Sequence, residues 1–580
     1  MLPWRRYAWR VVPLLLLLAF YWPGLTNWFY QDDFGWLNLR HDVHTARDLA
    51  PALFAPKAHG NIRPLGENAY WLVLSSIFGV DAWPFRICAF ATQIASLLLL
   101  GGIVMRLTAS RTAAFVAQIL WMANAGLAAA LCWSSIYNQL LSAFFFLLSF
   151  WFFLRQIRSG ARRDALGHWA AFVLGLGALE INVVYPAIAA AYAVLFARQH
   201  LKTVLPMFGV SAAAVLVHFH FAPADATGVY ALHWDGRIFS TLGSYWILAL
   251  NPSPWVAAGL SGAVFGMLAW TVRKREWLGV FAIVWFVATI APYLPLAEHK
   301  MDYYLAVPAI GIAILGAAAV AGAWRPAALA AVAIYLVTCV PHAWAIVQWN
   351  HARGIRVEDV VEGVAETRQA QPGKYILLDG VDSGLFWSGI VDLPFRAMEI
   401  PHVYLVPGSE SRIDAPADLV AKYTLPQAPA LRALEQNRAV VYEVSGASLR
   451  NVTSRYRALA EALWNPQTPR FINLGDDAFA EYLGAGWDPC ADGYRLLRGT
   501  ASVRVGGARR ADERLYIGVF RTTPFALGVR LDGMQVSPTP VKRTGELTEL
   551  SAPVRPAPQI DVTLVNGGRQ PLRFGYLEVR

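Results

Sequence analysis

The sequence predicts a polytopic α-helical membrane protein of about 11 transmembrane helices, followed by a C-terminal extracytoplasmic α/β and β-rich domain. Three observations predict it. The 580 residues are 56% apolar, 13% aromatic and only 15% charged, outside the usual composition of soluble chains. Apolar runs near the ~20 residues that cross ~30 Å of hydrocarbon recur as far as about residue 345. From residue 346 those runs stop, and short strand-like stretches alternate with turn residues.

Taken in order, the spans read as 9–25, 84–105, 111–129, 134–154, 166–181, 183–198, 202–221, 254–272, 277–296, 303–321 and 326–345. The first follows Arg5, Arg6 and Arg10. Its end, Tyr21-Trp22-Pro23, lacks a small-residue cleavage pattern, so it reads as a retained helix. The 25–83 loop is too long for a turn, and its apolar segments Ala50 to Phe54 and Leu65 to Phe78 read as interfacial helices. Ile238 to Leu250 ends at Asn251-Pro252-Ser253-Pro254 and reads as interfacial or re-entrant. Counting it as a span would put Arg273-Lys274-Arg275 outside.

With alternate loops taken as cytoplasmic, the inner loops hold 15 Lys and Arg and the outer loops 6. The N-terminus is then inside and everything after about residue 346 outside. Residues 1–345 form the membrane domain, 346–500 an α/β region and 501–580 a sandwich-like end. The strands are Tyr375–Asp379, Ala439–Glu443, Leu515–Phe520, Ala526–Arg530 and Ile560–Leu564, with helices near Ala430–Arg438 and Leu449–Trp464. Asp532-Gly533 and Asn566-Gly567 are hairpin signals.

The net charge of +10 is explained by loop orientation and gives no reason to expect nucleic acid. Four cysteines, three of them in or beside apolar segments, make no disulfide framework. Only seven of the 49 basic residues are lysine, which fits a GC-rich bacterial source and hence an inner (plasma) membrane location.

Polar chemistry gathers where outer helix ends converge. Asp32 and Asp33 follow the first span, with Arg63-Pro64 at the far end of the same loop. Glu180 and Asn182 lie between spans five and six, and Glu298-His299-Lys300 with Asp302, Tyr303 and Tyr304 open the tenth. Plainer readings exist: Arg63 as a snorkelling side chain, Glu180 as half of a structural pair, Glu298-His299-Lys300 as a polar turn. No HExxH or comparable metal spacing is present.

These motifs have an order. An acidic pair follows the first span, then Arg63-Pro64 precedes an amphipathic stretch, and Trp133-Ser-Ser-Ile-Tyr-Asn-Gln139 opens a later span. Leu179-Glu-Ile-Asn-Val-Val-Tyr-Pro186 comes next, then Tyr303-Tyr-Leu-Ala-Val-Pro308 before Gly311. Over residues 1–345 this order resembles the glycosyltransferase-C (GT-C) superfamily, nearest to the protein O-mannosyltransferase-like branch and its bacterial relatives. The resemblance implies inverting transfer of a hexosyl or pentosyl group from a polyprenyl-phosphate donor to a protein, lipid or glycan hydroxyl at the outer face. It implies Asp32 as general base, with Asp33 supporting it or positioning the acceptor. Arg63, Lys300 and His299 would neutralise the donor phosphate, and Glu180, Asn182, Glu298 and Tyr303 would contact substrate. Relatives often carry Lys-Glu where Leu179-Glu180 stands, so a phosphate-binding lysine is missing there. A monophosphate leaving group demands no divalent ion, and no metal or cofactor is expected.

Two other classes compete. A lipid-linked sugar transporter or flippase should hold ionisable groups near the bilayer midplane, yet here they cluster at one surface. A membrane anchor for a carbohydrate-binding outer domain leaves Asp32, Asp33 and Glu180 unexplained.

Overall fold

The computed structural model describes residues 7–57, 61–221, 228–446, 448–462, 467–491, 493–521, 525–544 and 546–580. It divides into two units, residues 1–355 and 356–580. The helix of the last predicted span runs well past residue 345, over Arg325–Ala370.

Each predicted span of the first unit contains helix, but the lengths differ. Five helices among the described residues are long and apolar enough to cross a membrane: Ala82–Thr108, Ser134–Ser159, Arg198–Phe221, Pro254–Arg273 and Arg325–Ala370. A sixth crossing arises if the pair Arg111–Met122 and Ala125–Cys132, bent by 63°, is one span. Ala8–Phe20, Glu180–Phe196, Leu278–Tyr293 and Pro308–Ala321 are shorter apolar helices. The bend has a local cause. Asn124 caps the second helix by accepting from the Gly126 N–H at 3.0 Å, while its Nδ2 donates to Ala249 O and Tyr335 Oη at 3.1 and 3.0 Å. The segments expected at the interface are helical at Leu49–Phe54, Pro64–Ala69 and Tyr70–Phe78, and Arg237–Leu250 is a helix ended by extended Asn251.

Among the described residues the second unit contains three sheets. Tyr375–Asp379 lies between parallel Val403–Leu405 and Ala439–Ser445, and Ser448–Asn451 adds antiparallel to the latter. The helix expected from Leu449 therefore starts only at Thr453. Two antiparallel sheets follow. One orders Met534–Val536, Leu527–Leu531, Gln559–Asn566 and Thr500–Gly506. The other orders Thr539–Thr544, Leu547–Pro553, Arg514–Phe520, Leu572–Val579 and Phe471–Asn473, with Arg495–Leu497 also on Leu572–Val579.

Alternate residues of both antiparallel sheets, among them Val503, Val529, Val562, Ile517, Val519 and Phe574, fill one core. Because strands Phe471–Asn473 and Arg495–Leu497 belong to this sandwich, it begins before residue 501. Asp532 and Gly533 both have positive φ, 48° and 85°, and close a tight hairpin. Asn566-Gly567 does not form one: the strands on either side of it belong to different sheets, and the Asn566 side chain instead ties the connection to Leu497 O and Gln570 O.

Candidate active site

The chain turns sharply just before Asp32. Gln31 has φ +57°, a left-handed conformation uncommon for a residue with a Cβ, and the short helix Asp33–Leu37 starts directly after Asp32. The turn sends two adjacent carboxylates into different surroundings. Asp33 is fully buried and accepts from the Ser135 N–H at 2.7 Å, the Ser135 hydroxyl at 2.6 Å and the Tyr30 N–H at 3.2 Å. Burial pushes its carboxyl up to about 7, against the opposing pull of Arg86 and these hydrogen bonds.

Asp32 instead is exposed to a cavity of about 800 Å³ that it helps to line. The protein crowded around that cavity raises the Asp32 carboxyl above its ordinary range, with Arg353 pulling the other way. Long-range contacts hold the turn in place. Arg86 donates to the carbonyls of Asn27 and Trp28 at 3.1 and 2.9 Å. The Tyr30 hydroxyl donates to Asn350 Oδ1 at 2.5 Å, and the Arg353 guanidinium lies 5.8 Å from the Tyr30 ring.

Across the cavity Arg63 sits between two carboxylates. Its Nε donates to both oxygens of Glu180 at 2.8 and 2.9 Å, and its Nη1 donates to Glu67, which also accepts from Asn138 at 2.6 Å. Two backbone approaches position this group. Leu65 N–H donates to Gly177 O at 2.9 Å, and Gly66 packs so closely that a Cβ there would stand 2.2 Å from Ala178 O. The helix of the fifth span stops at Leu176, and Glu180 opens a tighter turn, Glu180–Val184. That break is what brings Glu180 to the cavity.

The remaining wall is aromatic. Tyr293 and Tyr304 stack at 4.1 Å, Tyr303 meets Tyr304 at 4.9 Å, Trp133 meets Tyr303 at 6.3 Å, and the His299 ring lies 4.4 Å from Tyr230. The Tyr303-Tyr304 turn is fixed from behind by indole N–H groups: Trp121 donates to Ala306 O at 2.8 Å and Trp285 to Val307 O at 3.2 Å.

Asp32, Arg63, Glu180, His299 and Tyr303 thus share one cavity. Four other predicted residues do not line it. Asp33 is buried behind it, and Asn182 is buried with its amide on Ser142 Oγ (2.7 Å) and Leu179 O (3.1 Å). Glu298 is exposed and 3.8 Å from Arg237, and Lys300 is exposed. The placement of Arg63 differs from that of a free cation awaiting phosphate, because two carboxylates already engage its guanidinium.

Sequence reasoning missed Glu67, Ser135 and Arg353. Glu67 carried a signal, one helical turn after Arg63; Arg353, hundreds of residues from Asp32, carried none. Among the described residues no three His, Cys, Asp or Glu side chains group to hold a metal ion.

Neither a protein-family model nor a curated protein sequence matches the chain. Solved structures are similar to it in three-dimensional arrangement. ArnT from Cupriavidus metallidurans bound to undecaprenyl phosphate is 12% identical with a TM-score of 0.44, over 78% of this chain and 95% of that one. The Archaeoglobus fulgidus oligosaccharyltransferase is 10% identical with a TM-score of 0.42, over 98% and 97%. Arabinosyltransferase EmbB from Mycobacterium smegmatis is 11% identical with a TM-score of 0.35, over 100% and 65%.

Proposed function

We propose that this chain is a membrane glycosyltransferase of the GT-C type, moving a sugar from a polyprenyl-phosphate donor to a hydroxyl acceptor with inversion. One observation carries the reading: the acidic pair is divided, with Asp33 anchored in the interior and Asp32 open to a cavity walled by tyrosine and tryptophan. Asp32 takes the acceptor's hydroxyl proton as the new oxygen–carbon bond forms at the anomeric carbon. On the opposite side of that carbon the bond to the phosphate oxygen breaks, and the electron pair leaves with the lipid phosphate. A carboxylate raised above its ordinary range is a stronger base for this step than a solvated aspartate.

The leaving phosphate needs cationic donors. Arg63 serves if phosphate takes the place of Glu180 on its Nε edge while Glu67 keeps its hold on Nη1, and His299 lines the same cavity. Lys300, exposed and off the wall, has no part in the proposal. The aromatic rings suit the faces of a sugar ring, whose C–H groups pack on π surfaces. The protein lies in a bacterial inner membrane with residues 356–580 outside.

The test is to incubate purified protein with radiolabelled polyprenyl-phosphate sugars, varying the sugar and offering protein, lipid and glycan acceptors. Release of the free lipid phosphate with at least one donor is the expected result. No release from any donor, with the same lipids instead moving across proteoliposome membranes, would replace the enzyme with a transporter.

A further inference from the structure

Helix Pro254–Arg273 fully buries only Ala257. Between it, Pro308–Ala321 and the start of Arg325–Ala370 lies a second, larger cavity of about 1010 Å³. Its walls include Ala319, Ala327 and Ala331. Small residues on neighbouring membrane helices ordinarily let the backbones close to contact; here they face a gap. Along the helix, Ala327 to Tyr335 covers about 12 Å, most of one ~15 Å leaflet.

The mouth is aromatic and basic. Trp270 and Trp324 meet edge to face at 5.9 Å, and Lys274 Nζ lies 5.2 Å from the Trp270 ring. Arg273 and Arg275 flank Lys274, against a single carboxylate at the cavity, Glu276. Tryptophan pairs of this kind sit at headgroup level, and juxtamembrane Lys and Arg attract anionic headgroups. Leu278 and Gly279 at the start of helix Leu278–Ile290 line this cavity, whereas Pro292 and Tyr293 just past its end line the Asp32 cavity. The two cavities therefore meet this helix at opposite ends.

We propose that this second cavity binds one anionic glycerophospholipid, with an acyl chain filling the gap and the phosphate at Arg273, Lys274 and Arg275. Its place at the other end of helix Leu278–Ile290 separates it from any donor bound beside Asp32.

The test is native mass spectrometry of the full chain, released from mild detergent after incubation with equal phosphatidylglycerol and phosphatidylcholine. The wild type should keep one phosphatidylglycerol, preferred by ~10-fold or more, since three cations near an anionic headgroup each contribute. The variant R273Q/K274Q/R275Q should still bind lipid but lose that preference. Ala327→Phe with Ala331→Phe should bind none at this site while remaining monodisperse. Should that pair fail to fold, the charge variant decides alone. Equal phosphatidylglycerol preference in the charge variant would overturn the proposal. So would a wild type that keeps no lipid, or one that carries a polyprenyl phosphate or a single-span polypeptide in its place.

Discussion

At the scale of single residues, the proposed reaction gives Asp32 the chemical step and leaves Asp33 to hold it in position. Asp32→Asn keeps the shape and removes the base, so kcat should fall roughly 10²–10⁴-fold with donor binding retained. Asp33→Asn should act mainly on thermal stability, because it weakens the clamp on Ser135. Equal kcat losses from both, at unchanged stability, would refute this division. A pH effect follows from burial of Asp33. Its carboxyl is raised from an ordinary value near 4 to about 7, so the native state favours the protonated form. The stability it contributes is fully present below pH ~4 and is lost as pH rises through about 7. The melting temperature of the wild type should therefore fall relative to Asp33→Asn between pH 5 and 8; parallel curves would show that Asp33 is already ionised in the fold. The acidic pair, Arg63 and Glu180 were legible in the sequence because charged residues beside apolar runs demand a reason. Which carboxylate faces the cavity was not legible, since it depends on the positive φ of Gln31 and on Ser135, far along the chain.

At the scale of elements, the site is an assembly of breaks. The turn Glu180–Val184, after the helix ending at Leu176, brings Glu180 to the cavity, and the turn Asp302–Leu305, before helix Pro308–Ala321, brings Tyr303 and Tyr304 to it, while the bend at Asn124 breaks a third helix elsewhere. Apolar periodicity located helix within each predicted span, but only five or six of those helices, among the described residues, are long and apolar enough to cross a membrane; it did not show where helices stop, because the stops come from side-chain caps and backbone contacts rather than from polarity. The same reason explains Asn566-Gly567, whose local signal is that of a hairpin while the partner strands are chosen by the core. Gly66 tests how closely the elements must approach. Gly66→Ala drives a methyl group against Ala178 O, which should cost about 1–3 kcal/mol and separate Arg63 from Glu180. A raised donor KM together with a lowered melting point is expected. Wild-type kinetics in this variant would mean that the Arg63–Glu180 contact has no part in binding.

At the scale of the whole molecule, the basic-residue count predicts that the second unit is exported. An alkaline phosphatase reporter fused after Arg356 should be active in a bacterial host, and a reporter active only on the cytoplasmic side would overturn the topology. Composition made the membrane unit and the separate β-rich unit legible together. The long helix through residue 355 was not, because polar residues past 346 looked like the end of a span. The contacts around Asp32 also set a schedule for synthesis. Tyr30 waits for Asn350, a separation of 320 residues, and Asp33 waits for Ser135, a separation of 102. At ~5–20 residues per second, the loop emerges roughly 15–60 s before its last partner. For that interval the nascent chain holds an unclamped pair of aspartates at the membrane surface, and a ribosome that stalls before Asn350 leaves an inserted but incompetent product.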